Sequence, residues 1–407
     1  MALFYFLLSL WFNHHTKEGR LPVIHRNVHH VTVVNGYGSG LYRAGDTVHI
    51  FSDAIKENEI FKMWTGEDVS LLNSKDEWHT WFVMPDRDMT FDNRKIIIDP
   101  FELKFEQIKG RDRLKPVYYF FPDRPVGVVY LLHGTMGTAR NLVTTFEWKQ
   151  LIKALGYYRF GIIVTESEES TLRKDLNNDG KIRWQMLPLD KSENVDFANL
   201  IAITQAFENR GFIDKELPHY SVGMSNGGAF STVLAMMNNF RAAISYCAPS
   251  GARLAALTSV PVLFCMAGHD ANPAVGAKGN AEALSNSQVI AGRGICSRYL
   301  VKPASPLYAE RFARSGEITL KQSLAIFNEL KANGYLDDRN YVKGDAASVT
   351  EAMNSRAGLF PSLRGLTPAL RRFVNDQILL SASDHKMFSD FTAATIRFLK
   401  SQCANPS

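Results

Sequence analysis

The stretch His219-Tyr-Ser-Val-Gly-Met-Ser-Asn-Gly-Gly-Ala229 holds a serine between small residues, Gly223-Met224-Ser225-Asn226-Gly227. It reads as a short strand ending at Ser225, followed by a helix through about Met237. A serine on so sharp a bend needs a strained backbone, and flanking glycines let strand and helix pass closely. The bend lifts a hydroxyl to the carboxyl edge of a sheet and aims the next N–H groups at a reacting carbonyl oxygen. A plain Gly-Ser turn is the alternative, because a five-residue pattern recurs by chance. A strand before and a helix after remove most chance matches. A hydroxyl is a weak nucleophile until a base takes its proton, so a histidine and a carboxylate to orient it are required.

Both lie downstream. The predicted strand Val262–Ala267 ends in Gly268-His269-Asp270, and the carboxyl ends of successive strands converge on one edge of a sheet. Asp270 is therefore the expected acid, one residue earlier than in the commoner G-x-x-D spacing, with His269 as loop structure. His385 is the one histidine after Asp270, just before a final helix of about 390–401. Its neighbour Asp384 is the alternative acid. Upstream, the apolar run Val126–Leu132 ends in His133-Gly134-Thr135-Met136-Gly137. The loop after such a strand supplies one oxyanion-hole N–H and the residue after the serine supplies the other. This assigns the backbones of Thr135 and Asn226, with Met136 as an extra substrate contact and His133 as a loop-holding residue.

The elements that must position these residues alternate in type. Strands are expected at Val117–Phe121, adjacent to Val126–Leu132, and at Phe160–Thr165, Ala242–Cys247 and Val262–Ala267. Helices are expected at about 141–155 and 192–209. The result is a doubly wound α/β sheet, reached through a linker near 97–113. The segment Asp175-Leu-Asn-Asn-Asp-Gly180 matches the opening of a calcium loop, with Asp175, Asn177 and Asp179 as oxygen donors. Position 12 is Met186 rather than a glutamate, so an Asx-rich turn is the competing reading. Trp184 follows, as a substrate-facing aromatic or a core residue. Between Asp270 and His385 lie far more residues than one helix and one strand need. The surplus at 301–373, helical over about 318–333, reads as a lid-like insertion forming one wall of a cleft.

Residues 27–98 read as a small β-rich module, with strand-like runs at His29–Val34, Thr47–Phe51 and His79–Met84 between Gly- and Asp-rich turns. The order H-x-V-T-V-x-N-G-x-G-S-G, Y-x-A-G-D-T-V, W-T-G and F-V-M-P-D-R-D-M-T-F resembles the internalin-repeat-like modules of bacterial surface and secreted proteins. That resemblance implies an accessory module with an extracellular bias, able to contact a polymer or a cell surface. Trp64, Trp78 and Trp81 form either an aromatic face or, as favoured here, the core of the module.

With serine, oxyanion loop, acid and histidine in this order, the catalytic domain expected at 99–407 resembles the α/β-hydrolase superfamily over about 115–402. G-M-S-N-G-G after H-Y-S-V is most similar to the secreted polyhydroxybutyrate depolymerase and feruloyl or acetylxylan esterase branch. Thr135 stands where that branch often has a cysteine. The resemblance implies ester hydrolysis on a small ester or a polymer, a polyester or an acylated polysaccharide, with no organic cofactor required and calcium as an optional ion. A serine peptidase of the same fold and an adhesion protein on a hydrolase scaffold are the competing functions.

Bulk properties are consistent with this reading. The 407 residues are 45% hydrophobic and 21% charged, ordinary for globular domains. A net charge of +5, without basic runs, does not point to nucleic acid. Residues 1–26 open with a short apolar run that fits an atypical export signal or a helix lying on the catalytic domain. That start and the module's extracellular bias point to a secreted, periplasmic or cell-surface location, and no other stretch is long and apolar enough to cross a membrane. Cys247 and Cys265 fall inside predicted strands as buried thiols, leaving Cys296 and Cys403 free to pair.

Overall fold

One eight-stranded sheet sets where the chemistry-bearing residues meet. The computed structural model describes residues 27–404, so the proposed export signal lies outside the described residues. The strands of the sheet are β1 (Lys104–Lys109), β2 (Leu114–Phe120), β3 (Val128–Leu132), β4 (Gly161–Val164), β5 (His219–Met224), β6 (Ala242–Tyr246), β7 (Val262–Ala267) and β8 (Ser297–Lys302). Their order is β8-β7-β6-β5-β3-β4-β2-β1. Strands β3 to β8 run parallel, and β1 and β2 join antiparallel at one edge.

Two expectations change here. The strands now labelled β2 and β3 are not neighbours, because β4 pairs between them. Burial explains the order. Every residue of β3 and β4 is buried, so both need covered flanks, whereas alternate residues of β2 reach the surface and suit a position near the edge. Part of the expected linker is also strand β1, whose mostly exposed residues carry little hydrophobic alternation to announce it.

Apolar layers cover both faces of the sheet. On one side lie Ala139–Thr144, Phe146–Tyr157 and the final helix Thr392–Ser401. The first two replace a single predicted helix, because Thr145 adopts extended backbone between them. On the other side lie Val195–Asn209 and Asn226–Asn238, whose Phe197, Phe207 and Phe230 are fully buried.

Residues 28–97 form a four-stranded and a three-stranded sheet around Val31, Ile50, Trp64, Phe82 and Phe91. Trp64 is completely buried and donates from Nε1 to the Glu77 carbonyl at 2.9 Å; Trp78 is buried and Trp81 half-buried. Trp64 packs in the module's core, whereas Trp78 is buried outside that cluster, and neither forms an open aromatic face. The module is tied to the large sheet's helices. Lys153 Nζ donates to the carbonyls of Lys56 and Glu59, each at 2.9 Å. The Glu77 carboxylate accepts from the N–H groups of Ala393 and Ala394, capping the final helix.

The insertion between β8 and His385 contains the helices Leu320–Ala332, Ala346–Ser355 and Pro368–Ser381 around a separate apolar core. It leans on the β module. The Tyr308 ring lies 4.9 Å from that of Tyr37 and 4.5 Å from that of Phe51, and the Arg314 guanidinium sits 3.8 Å from the centre of the Trp78 ring.

Cys296 and Cys403 are disulfide-bonded, with Cα atoms 5.6 Å apart and a sequence separation of 107 residues, while Cys247 and Cys265 are buried free thiols. A bridge across so long a loop restricts the unfolded chain strongly, so Cys403→Ser should cost about 2–5 kcal/mol of stability. Denaturant unfolding with and without reductant checks this. Reductant should lower the wild-type midpoint and leave that of the variant unchanged.

Candidate active site

The bend at Ser225 is built from clearances that only glycine offers. Ser225 has φ 58° and ψ −124°, a left-handed conformation rare for a side-chain-bearing residue. A Cβ on Gly223 would meet the Gly227 carbonyl oxygen at 2.0 Å, and one on Gly227 would meet that of His133 at 2.3 Å. The serine is held in place by its N–H, which donates to the Tyr246 carbonyl at 2.8 Å.

Ser225 Oγ lies 2.8 Å from His385 Nε2, and His385 Nδ1 lies 2.6 Å from Asp270 Oδ2. The Asp270 carboxylate is fully buried and also accepts from the Asn272 N–H at 2.9 Å. An ionised carboxylate only accepts, so Nδ1 carries the imidazole proton and the Nε2 lone pair faces the serine. The alternative acid, Asp384, has a different task. Its Oδ1 accepts from Ala271 N–H at 2.8 Å and His385 N–H at 2.6 Å, joining the loop of Asp270 to the loop of His385. His269 is loop structure, its N–H donating to the Ser383 carbonyl at 3.0 Å.

A strand-to-helix elbow at the centre of a mostly parallel sheet, with residues in the chain order Ser225, Asp270, His385, decides the architecture. The fold is that of an α/β hydrolase.

No protein-family model matches the chain, and a search of curated proteins finds no match. Among solved structures, the chain is similar to a dienelactone hydrolase from Anabaena variabilis at 14% identity and TM-score 0.38, over 50% of this chain and 88% of that one. Est1E from Butyrivibrio proteoclasticus with bound ferulic acid matches at 11% identity and TM-score 0.36, over 50% and 90% of the two chains. A puromycin-hydrolyzing peptidase from Mycobacterium tuberculosis matches at 16% identity and TM-score 0.39, over 75% and 54%. Likenesses this distant carry no inference about the reaction, which rests on the site itself.

The N–H groups of Thr135 and Asn226 have no hydrogen-bond partner among the described residues, and both residues line the cleft at Ser225. Met136 does not contribute as expected. Its N–H donates to the Ile182 carbonyl at 2.8 Å, and its exposed side chain is not part of the cleft lining. Of the two readings of Trp184, the core one holds and the substrate-facing one does not: it is buried, stacks on Phe230 at 4.9 Å and lines no part of the cleft. Its Nε1 donates to the His133 carbonyl at 3.0 Å, and its N–H donates to Asn226 Oδ1 at 2.8 Å. Trp184 therefore fixes the loop after β3 and the start of the helix after Ser225 relative to each other. His133 holds the same loop, accepting at Nε2 from the Ser167 N–H at 3.1 Å and donating from Nδ1 to the Gly134 carbonyl at 2.7 Å.

The calcium candidates form an Asx-rich turn. Asp175 accepts from Gly180 N–H at 2.7 Å, Asn177 Oδ1 accepts from Asp179 N–H at 3.1 Å, and Asp179 pairs with Arg183. These oxygens already serve their own loop and a guanidinium, and we propose no calcium site there. Among the described residues, Cys247, Asp270 and His385 are the one cluster with metal-ligand spacing. Two of these are the hydrogen-bonded Asp270–His385 pair, and burial pushes the Cys247 thiol well above its ordinary pKa, which keeps it protonated.

The sequence reading missed the groups behind His385. Glu147, buried in the helix Phe146–Tyr157, accepts from the Ser389 N–H at 3.2 Å and from Gln377 Nε2 at 3.0 Å, and pairs with Arg314 at 3.3 Å. Asp390 pairs with His79 of the β module at 2.6 Å. Glycines and a histidine announce an elbow in a sequence, whereas a buried carboxylate inside a helix looks like a surface residue. The cleft has a volume of about 770 Å³. Trp148, Pro249 and Met387 form apolar walls, and Arg372 and Asp376 are the insertion's contribution.

Burial lowers the His133 pKa to about 4, while the unfolded chain titrates near 6.5. Its contribution to stability is therefore complete above pH 6.5 and lost as pH falls toward 4. His133→Gln should be less stable than wild type by about 1–3 kcal/mol at pH 7, with the gap narrowing by pH 4.5. Denaturant unfolding at the two pH values measures it.

Proposed function

We propose that the protein is a serine carboxylic-ester hydrolase. The observation that carries this reading is the hydrogen-bonded chain from Ser225 Oγ through His385 to Asp270, facing two unpaired N–H groups. His385 Nε2 takes the hydroxyl proton as Oγ attacks the ester carbonyl, whose oxygen becomes an anion between the N–H groups of Thr135 and Asn226. Collapse expels the alcohol, which takes the proton from His385, and leaves an acyl-serine. Water, deprotonated by the same nitrogen, then releases the acid and restores Ser225. Asp270 keeps the proton on Nδ1 and stabilises the imidazolium in both halves. No organic cofactor or metal enters these steps.

The natural substrate is proposed to be a polyester or an acylated polysaccharide, on the resemblance of the elbow sequence to enzymes of that branch. A location in an oxidising compartment, outside the cell or at its surface, is supported by the Cys296–Cys403 bridge. Among the described residues no helix is long and apolar enough to cross a membrane.

Turnover of p-nitrophenyl acetate, butyrate and octanoate, set against matched anilides, tests the reading. Wild type should cleave the esters far faster than the anilides. Ser225→Ala and His385→Ala should each lower kcat about 10,000-fold or more, and the double variant should lose little beyond either. Anilide preference would favour a peptidase. Wild-type inactivity on every substrate would favour the adhesion reading.

A further inference from the structure

A second cavity, of about 940 Å³, opens between the β module and the helical insertion and shares no lining residue with the cleft at Ser225. Its walls include the rings of Tyr37, Tyr42, Tyr308 and Tyr341, and one of its lining residues is His49. Only 5% of His49 is accessible. One of its ring nitrogens is engaged: Nδ1 lies 3.0 Å from His79 Nε2. The other, Nε2, has no hydrogen-bond partner among the described residues, yet it is not among the fully buried unpaired atoms. His49 is part of the groove wall, so the small accessible part of its ring opens onto that space.

The protonation of that nitrogen is fixed from behind. Asp390 lies 2.6 Å from His79 Nδ1 and 3.9 Å from the buried ammonium of Lys302, which keeps the carboxylate ionised and acceptor-only. His79 therefore donates from Nδ1 and accepts at Nε2. His49 must then donate from Nδ1, which leaves a lone pair on its Nε2. Burial holds both imidazoles neutral, His79 with its pKa lowered to about 4 and His49 to about 2. What the groove offers is a buried acceptor that needs a donor, beside tyrosines that suit the apolar C–H face of a saturated, hydroxylated ring. The charged residues of its lining are of both signs, Arg43 and Arg339 with Asp46, Glu310 and Asp338, so no single-sign field draws in a strongly charged anion. A neutral polyhydroxylated ring meets every one of these demands.

We propose that the groove between the β module and the insertion is a non-catalytic binding site for a neutral saccharide chain, with His49 Nε2 accepting from a sugar hydroxyl. It would hold a polymer beside the catalytic cleft without taking part in Ser225 chemistry, so it stands or falls apart from the proposed esterase activity.

Native electrophoresis of the full chain through gels containing soluble xylan, galactomannan or hydroxyethyl cellulose, against a plain gel, tests it. Wild type and Ser225→Ala should be retarded alike by at least one polymer. Tyr341→Ala and His49→Leu should bind that polymer about 5–10-fold more weakly, the loss expected for one stacking or hydrogen-bonding contact. Tyr341→Ala should hydrolyse p-nitrophenyl acetate at the wild-type rate. If His49→Leu fails to fold by circular dichroism, Tyr37→Ala takes its place. Unretarded wild type in all three gels overturns the proposal. So does retardation that persists in the groove variants, which would place the polymer in the cleft at Ser225.

Discussion

A charge removed from water must be compensated where it sits, and the segment carrying His385 is held by that demand. Within seven residues its backbone or side chains meet three carboxylates, those of Asp384, Glu147 and Asp390, each shielded from solvent. Asp384 satisfies N–H groups on two loops, Glu147 is balanced by Arg314, and Asp390 is balanced by Lys302 and bonded to His79. Their partners come from the helical insertion, the sheet and the β module. The position of one imidazole relative to Ser225 is thus determined by three regions far apart in the chain. None of the groups involved can shift without leaving a buried charge unpaired, a penalty of several kcal/mol.

The site was legible to the degree that its chemistry forces unusual backbone. Only glycine fits at 223 and 227, so the elbow is written in the residue types themselves. His385 followed by elimination, and Asp270 from the end of a fully buried strand. Trp184 stayed undecided and Met136 was misplaced because a residue's direction depends on tertiary contacts. Trp184 is drawn inward by a carbonyl and an amide oxygen on other elements, while the Met136 backbone is claimed by Ile182. The first strand of the sheet escaped notice for a related reason. An exposed edge strand such as Lys104–Lys109 has no need of an apolar face.

The β module illustrates a different limit. Its turns and several of its strands could be read, yet its relation to the rest of the molecule could not. The decisive contacts are single polar groups: Glu77 at the N-terminus of the last helix, His79 on Asp390, and the Lys153 ammonium between two module carbonyls. A sequence pattern records periodicity within an element and carries no record of which distant element supplies a counter-charge.

The cap that Glu77 gives the final helix has a consequence for how this molecule came to be one unit. A module attached by a flexible tether can be exchanged, lost or duplicated with little effect on its neighbour. Here the last helix of the hydrolase fold begins on a carboxylate from the far end of the chain, and two of its first N–H groups are satisfied there. Removing the module would fray that helix and bare the apolar surface beneath it. The two parts are coupled in stability, so a substitution on either side of the junction is felt on the other.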